Sequence, residues 1–227
     1  MIHAYDKTYL KRARNSFGIM LDFAVNELQF DLSKFWLMFF QSDICKLFEH
    51  GDPKVLAGMS GIEMTYAVAG DSFRSEKPAN TMTRSEEYWL GWALAYYQWY
   101  SLYTFMDILT AVPLSHIIGM YPVYHEMDIR QFTDHMDEIM REAYPTTRLK
   151  TRRVNNRLSQ SELAAESGVA LRQIQLFEQK QRDINSAAAI TLLQLSKALH
   201  CQMEDLLEPF FTDGGTKGVP SDHRSNI

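Results

Sequence analysis

The side chains with the clearest chemistry lie in one short stretch, LSQSELAAESGVALRQIQLFEQ, at positions 158–179. Ser159 is placed to cap a helix, and Gly168 supplies the positive φ of a sharp helix end. Ile174 and Phe177 then form the apolar face of a second helix. Its opposite face carries Arg172, Gln175, Leu176 and Gln179. Long, mostly polar side chains on a bare helical face are suited to hydrogen bonding in the groove of a nucleic acid.

Charge is distributed unevenly along the chain, whose formal net charge is −5. Residues 1–145 contain 12 basic and 19 acidic residues, residues 146–182 contain 8 and 3, and residues 183–227 contain 3 and 6. A basic block therefore coincides with the motif on an otherwise acidic chain. Its members are Arg148, Lys150, Arg152, Arg153, Arg157, Arg172, Lys180 and Arg182. A local basic surface favours contact with phosphates whatever the sign of the total charge.

The motif resembles the helix-turn-helix domain of phage repressors and of the xenobiotic-response-element (XRE) family of bacterial regulators, whose pattern is LSQxxLAxxxGVxxxxIxxxE. Nine residues fill that pattern: Leu158, Ser159, Gln160, Leu163, Ala164, Gly168, Val169, Ile174 and Glu178. The resemblance covers residues 148–208. A downstream helix predicted at 191–208 is similar to the closing helices of the family, with a core of Leu192, Leu193, Leu195, Ala198 and Leu199.

The chain departs from the family pattern at several positions. Lys180 and His200 stand where the family usually has glycine, and DINSAAA at 183–189 is about three residues longer than the common form. Leu171 stands where a polar side chain often reads a base. We therefore expect specificity to depend on Arg172 and Gln175.

The resemblance implies that the second helix of the motif lies in the major groove of double-stranded DNA. The implied base contacts are Arg172, Gln173, Gln175 and Leu176. The implied phosphate contacts are Gln160, Arg153, Gln179, Lys180 and Arg182. The chain would then be a transcriptional regulator, a repressor of a bacterial or phage operon. It would bind a palindromic operator as a homodimer, with half-sites about 10 base pairs apart.

The pattern of apolar residues before the motif predicts a succession of helices. We expect helices at 9–28, after a cap at Asp31, at 61–70, from a Thr83–Glu86 capping box, and at 128–144, where Pro145 ends the helix. The polar stretch at 71–80 is predicted to be a mobile loop. No alternating pattern long enough for a sheet is present, so the prediction is an all-α fold. We expect a helical domain at 1–145, a helix-turn-helix domain at 146–208 and a flexible tail at 209–227.

The helix predicted at 86–105, EEYWLGWALAYYQWYSLYTF, has an unusual composition. It does not fit a membrane span, because Gln98 and Ser101 interrupt it and its tyrosine hydroxyls would need partners in lipid. An aromatic stripe follows helical spacing: Trp89, Trp92, Tyr96, Trp99, Tyr100 and Tyr103. Such a stripe is typical of a core. The alternative is a groove for a partner, including a second copy of the chain.

Signals of catalysis are incomplete. His125 with Asp128, and His135 with Glu138, have helical spacing, but His125-Glu126 lacks the second histidine of a zinc motif. The chain has neither a glycine-rich phosphate loop nor a GxSxG elbow. We therefore expect no enzymatic activity, no cofactor and no metal. Two distant cysteines and an N-terminus unlike a signal peptide favour the cytoplasm.

The first half also resembles, more loosely, helical domains fused to such motifs in bacterial toxin–antitoxin operons. GMSGIE at 58–63 and YWLGWALAYYQWY at 88–100 carry that resemblance. It implies an alternative function, an antitoxin whose first half binds a toxin protein while the motif represses the shared promoter. A second alternative is a regulator that senses a small ligand, which a deep apolar pocket would favour.

Overall fold

A computed structural model describes residues 3–70 and 85–208 of the chain. Helices joined by short connections make up these ranges, and no strand occurs in them. The all-α prediction is confirmed. The mobile loop predicted at 71–80 and the tail predicted from 209 lie outside the described residues.

The first part of the described chain folds into helices that match most of the predicted segments. Their bounds are α1 (Lys7–Asp22), α2 (Leu32–Gln41), α3 (Asp43–Glu49), α4 (Pro53–Leu56), α5 (Gly61–Ala69), α6 (Glu86–Ser101), α7 (Phe105–Ala111), α8 (Leu114–Ile118), α9 (Tyr121–Tyr124) and α10 (Ile129–Ala143). A π-helical turn, Phe23–Glu27, continues α1. Together α1 and this turn span the helix predicted at 9–28.

Side-chain caps fix where several of these helices begin. Asp31 accepts a hydrogen bond from the Lys34 amide at 3.0 Å, as the sequence predicted. Helix α6 begins at Glu86 after Ser85, whose Oγ accepts from the Tyr88 amide at 3.1 Å. The cap of α6 is therefore Ser85, whereas the sequence predicted a capping box from Thr83, which lies outside the described residues.

Buried side chains between Tyr5 and Met140 form a first hydrophobic cluster. Helices α1 and α6 touch backbone to backbone within it. A Cβ added at Gly91 would lie 2.7 Å from the Phe17 carbonyl oxygen, and one at Gly18 would lie 2.8 Å from that of Tyr88. Only glycine permits this approach. It brings Phe17 into a buried aromatic group, where its ring stacks on Phe105 with centroids 4.9 Å apart.

The aromatic stripe of α6 serves mainly as core. Trp89, Trp99 and Tyr103 are buried. Trp92, Tyr96 and Tyr100 are half-buried and pack against the same cluster. The structure thus places most of this helix inside its own chain, which leaves little of it for the dimer surface that the sequence suggested.

One carboxylate is buried within this first cluster. Asp137 on α10 accepts hydrogen bonds from the hydroxyls of Tyr97 at 2.7 Å and Tyr100 at 3.3 Å. Burial raises the pKa of Asp137 to about 6, against the opposing effect of these two hydrogen bonds. The hydroxyls of Tyr97 and Tyr100 therefore bond inside the protein.

The last part of the described chain forms α11 (Arg148–Asn155), α12 (Gln160–Ser167), α13 (Leu171–Glu178) and α14 (Ala189–Ala198). One short 3₁₀ turn, Ile184–Ser186, lies between α13 and α14, and another, Glu204–Leu206, lies after α14. A second hydrophobic cluster holds these elements together: Leu149, Leu163, Val169, Ile174, Phe177, Ile184, Leu195, Leu199 and Leu206.

Two details of residues 191–208 differ from the sequence prediction. The segment is not one helix, since α14 ends at Ala198 and His200 takes a left-handed φ of 52°. Leu193 was predicted to be core, but it is 37% exposed because it lies on the outer side of α14. Leu195 and Leu199 are buried as predicted.

The two clusters meet beside the boundary predicted at residue 146. The Arg148 Nη2 donates to the Leu102 carbonyl at 2.9 Å, and its guanidinium lies 5.0 Å from the Tyr103 ring centroid. A cleft of about 390 Å³ opens there, lined by polar and charged side chains from both sides, Asp107 and Arg152 among them. That the two parts are separate domains stays a prediction.

Candidate nucleic-acid interface

The motif begins with the cap that the sequence predicted. The Ser159 Oγ accepts from the Glu162 amide at 3.1 Å, and the Glu162 carboxylate accepts from the Ser159 amide at 2.7 Å. This reciprocal capping box satisfies two amides that the first turn of α12 would otherwise leave unpaired. Helix α12 then ends at Gly168, whose φ is 71°.

A polar and an apolar contact fix the turn between α12 and α13. The Ser167 Oγ donates to the Leu163 carbonyl at 2.6 Å and accepts from the Val169 amide at 3.2 Å. Val169 is buried beside Ile174 and Phe177 in the second cluster. The turn therefore holds α13 by its inner face and leaves its outer face to solvent.

Glu178 ties three helices together from the end of α13. The Nε and Nη2 of Arg153 on α11 donate to its carboxylate at 2.6 and 2.9 Å, and the Gln160 Nε2 on α12 donates to it at 2.8 Å. The Arg153 Nη1 donates to the Leu158 carbonyl at 2.6 Å. We call Arg153, Gln160 and Glu178 the carboxylate brace.

The charges of Arg153 and Glu178 in the brace stabilise each other. Burial alone would raise the pKa of Glu178, but hydrogen bonds from Arg153 and Gln160 outweigh burial and lower that pKa. The hydrogen bonds to Glu178 raise the pKa of Arg153 in turn. Both groups are charged at neutral pH.

Two residues of the brace, Arg153 and Gln160, were predicted to contact phosphates. The side chain of Arg153 is only 11% exposed, and its guanidinium nitrogens donate to Glu178 and Leu158. Gln160 is half-buried and turns its amide nitrogen inward. The structure therefore places both side chains where they hold the motif together, rather than with a free charge or donor facing a duplex.

The predicted base contacts lie on α13, beside its open N-terminus. Arg172 is exposed, whereas Gln173, Gln175 and Leu176 are half-buried. The N-cap residue, Ala170, provides no side-chain hydrogen bond. The first-turn amides thus have no side-chain cap, and Arg172 is exposed at the same end of the helix, where the helix dipole also favours anions.

The remaining predicted phosphate contacts lie at the other end of α13. Gln179, Lys180 and Arg182 are exposed, and the Arg182 guanidinium lies 5.9 Å from the Phe177 ring centroid. Positive groups thus flank the outer face of α13 at both ends. Sequence reasoning did not assign Arg157, which is also exposed, immediately before the motif. Its membership of the basic block was the available signal.

Helix ends with a left-handed residue recur around the motif. Arg157, Lys180 and His200 have φ values of 59°, 56° and 52°. After each of them the next amide bonds back to the last turn, as from Gln181 to the Leu176 carbonyl at 2.9 Å. Lys180 and His200 thus keep the backbone conformation of the glycines that the related pattern has at these positions.

The described residues give little sign of a metal site. No group of three or more His, Cys, Asp or Glu side chains lies close enough there to hold an ion. The His125 Nδ1 lies 2.8 Å from the Tyr121 carbonyl oxygen, and Asp128 caps α10 and pairs with Arg130 at 3.0 Å. His135 stacks on Tyr124.

In the parts of the chain that the structure describes, no single helix has the length and apolar character to cross a membrane. One bent pair, 105–111 with 114–124 at 82°, meets those two criteria together. Comparison of the chain with protein-family models, with curated proteins and with solved structures gave no match.

Proposed function

We propose that this chain is a sequence-specific, double-stranded-DNA-binding transcriptional regulator, acting as a repressor. The observation that carries the proposal is the outer face of α13. Arg172 is exposed there beside an uncapped helix N-terminus. Buried contacts and the carboxylate brace fix the inner side of the same helix.

Four side chains of α13 contact bases in this proposal. Arg172 donates two hydrogen bonds to O6 and N7 of a guanine in the major groove. Gln173 and Gln175 contact neighbouring base edges or phosphates, and Leu176 contacts the methyl group of a thymine. These contacts read sequence, so each affects one base position.

The phosphate contacts come mainly from the end of α13 and the residues after it. Gln179, Lys180 and Arg182 are exposed and close in sequence, so they can follow the DNA backbone on one side of the helix. Arg153 and Gln160 act indirectly, by fixing Glu178 and hence the angle of α13. The first group positions the protein on DNA, and the second positions the recognition helix.

The acidic total charge of the chain, −5, is compatible with this role. Charges farther from DNA than the Debye length, about 8 Å at physiological ionic strength, are largely screened. Phosphates at α13 therefore interact mainly with Arg172, Lys180 and Arg182.

The proposed repressor binds as a homodimer to a palindromic operator, because one motif contacts only a few base pairs. Helix α14 offers a surface for the second copy. Ile190 is 60% exposed and Leu193, one turn later, is 37% exposed. Two neighbouring apolar side chains in water favour pairing with the same surface of another chain.

Selection of duplexes from a random pool by the full chain tests this function. We expect a palindromic consensus, and we expect Arg172→Ala to cost about 1–3 kcal/mol while relaxing preference at one base position of each half-site. Arg12→Ala, an exposed arginine on α1, is the matched control and leaves both unchanged. Recovery of no consensus by the folded wild-type chain contradicts the proposal.

A further inference from the structure

Arg14 on α1 presents a charged group to the first cluster, and within residues 3–70 and 85–208 it has no anionic partner. Its guanidinium carbon lies 3.5 Å from the Trp92 ring centroid and 4.6 Å from that of Tyr96. Its Nε and Nη2 are buried and have no hydrogen-bond partner among the residues that the structure describes. Aromatic rings attract the cation but accept none of its in-plane hydrogen bonds, so this edge is unsatisfied.

The same edge of arginine binds a carboxylate at two other places in this chain. The Nε and Nη2 of Arg153 donate to Glu178 at 2.6 and 2.9 Å. Those of Arg130 donate to Asp128 at 3.0 and 3.1 Å. This fork geometry matches the two oxygens of a carboxylate. Arg14 offers an equivalent fork.

Tyr5 has a second unsatisfied donor. Its hydroxyl is buried without a hydrogen-bond partner among the described residues, and Tyr5 and Arg14 interact electrostatically. The Trp99 Nε1 donates to the Tyr5 carbonyl at 2.8 Å, which holds this residue against α6. A buried hydroxyl and a buried guanidinium edge, both without acceptors, are together suited to an oxygen-rich anion.

We propose that Arg14, together with the Tyr5 hydroxyl, binds the carboxylate group of a ligand beside the rings of Trp92 and Tyr96. The site is separate from the DNA-binding surface and goes beyond the proposed regulator function. A carboxylate balances the buried charge and accepts both in-plane hydrogen bonds of Arg14. Water satisfies the hydrogen bonds but leaves the charge uncompensated. The carboxylate belongs either to a small molecule or to an acidic side chain of a partner protein.

Thermal unfolding of the full chain tests the carboxylate specificity. We expect the Tm of the wild type to rise in sodium acetate, relative to sodium chloride of equal ionic strength, and to level off with concentration, because a ligand of the native state stabilises it. Arg14→Gln removes this difference, whereas Arg12→Gln, an exposed neighbour on α1, keeps it. An acetate effect of equal size in wild type and Arg14→Gln overturns the proposal.

Stability without a carboxylate distinguishes binding from a purely structural role. In chloride, Arg14→Met is at least as stable as the wild type, because it removes an uncompensated buried charge. In saturating acetate the wild type is more stable than Arg14→Met. If Arg14→Met lowers Tm by the same amount in both salts, Arg14 serves only to pack against the rings, and the proposal fails.

A measurement on the wild-type protein does not depend on a variant that folds. The Arg14 Nε–H resonance shifts and saturates as acetate is added, and the absence of a shift overturns the proposal. The peptide acetyl-Ala-Glu-Ala-amide and its Gln counterpart identify the source. Binding of acetate alone indicates a small-molecule site, and tighter binding of the Glu peptide indicates a partner side chain. We expect Arg14→Gln to weaken either by about tenfold to a hundredfold.

Discussion

At the scale of single residues, Glu178 determines whether the motif keeps its shape. It lies at the end of α13, yet its carboxylate accepts hydrogen bonds from side chains on α11 and α12. Its side chain is 2% exposed. Because a buried charge without a partner is costly, α13 keeps its angle only while Arg153 remains in place.

Removal of Arg153 is therefore expected to destabilise the fold. Arg153→Met leaves the buried Glu178 without a charged partner, and we expect a loss of about 3 kcal/mol in the free energy of unfolding, measured in urea. The double variant Arg153→Met, Glu178→Leu recovers most of that loss, because neither charge remains. A single variant as stable as the wild type, with weaker DNA binding, would instead make Arg153 a phosphate contact.

The sequence could not show that two arginines of the basic block have different roles. Arg153 and Arg172 are both arginines in a basic region, and both were predicted to contact DNA. Only the fold shows that Arg153 meets a carboxylate 25 residues later in the chain, while Arg172 faces solvent. The partner of a long side chain depends on tertiary contacts that spacing does not encode.

At the scale of helices, the local signals were the most reliable part of the sequence. Ser159, Asp31 and Gly168 were assigned to helix ends from residue type alone, and the structure has them there. The break after α14 was not predicted, although His200, whose φ is positive, stands where the pattern usually has glycine. Asn, Asp and Gly adopt that conformation readily, and other residues adopt it at a cost.

The left-handed helix ends provide a stability test. His200→Gly removes the Cβ penalty at φ 52°, and we expect a gain of about 1 kcal/mol, seen as a higher Tm. Lys197→Gly, inside the last turn of α14, is the control and lowers stability by a similar amount. A lower Tm for His200→Gly would show that its side chain makes a compensating contact.

At the scale of the whole molecule, the two hydrophobic clusters lie in parts of the chain that differ in charge. The first lies in the acidic part of the chain, and the second carries the basic block. Arg148 joins them, with its guanidinium on Tyr103 and its Nη2 on the Leu102 carbonyl. The sequence predicted a boundary here from charge and from Pro145, but it gave no indication of this contact or of the cleft beside it.

Pairing of two chains through α14 is testable at this scale. Ile190→Asp introduces a charge at the proposed contact, so we expect sedimentation velocity to show a shift toward monomer and operator binding to weaken. Leu37→Asp, on an equally exposed apolar position of α2, is the control and leaves both unchanged. If Ile190→Asp leaves the mass distribution unchanged, the second copy binds elsewhere.

The salt dependence of operator affinity tests the central claim most directly. With a duplex selected by the full chain, log K falls linearly as log salt concentration rises, with a slope of about −0.9 for each phosphate contacted. Lys180→Ala and Arg182→Ala each reduce the size of that slope by about one contact. An affinity that does not change with salt, or a slope unchanged in both variants, contradicts the assignment of α13 and its basic flanks to DNA.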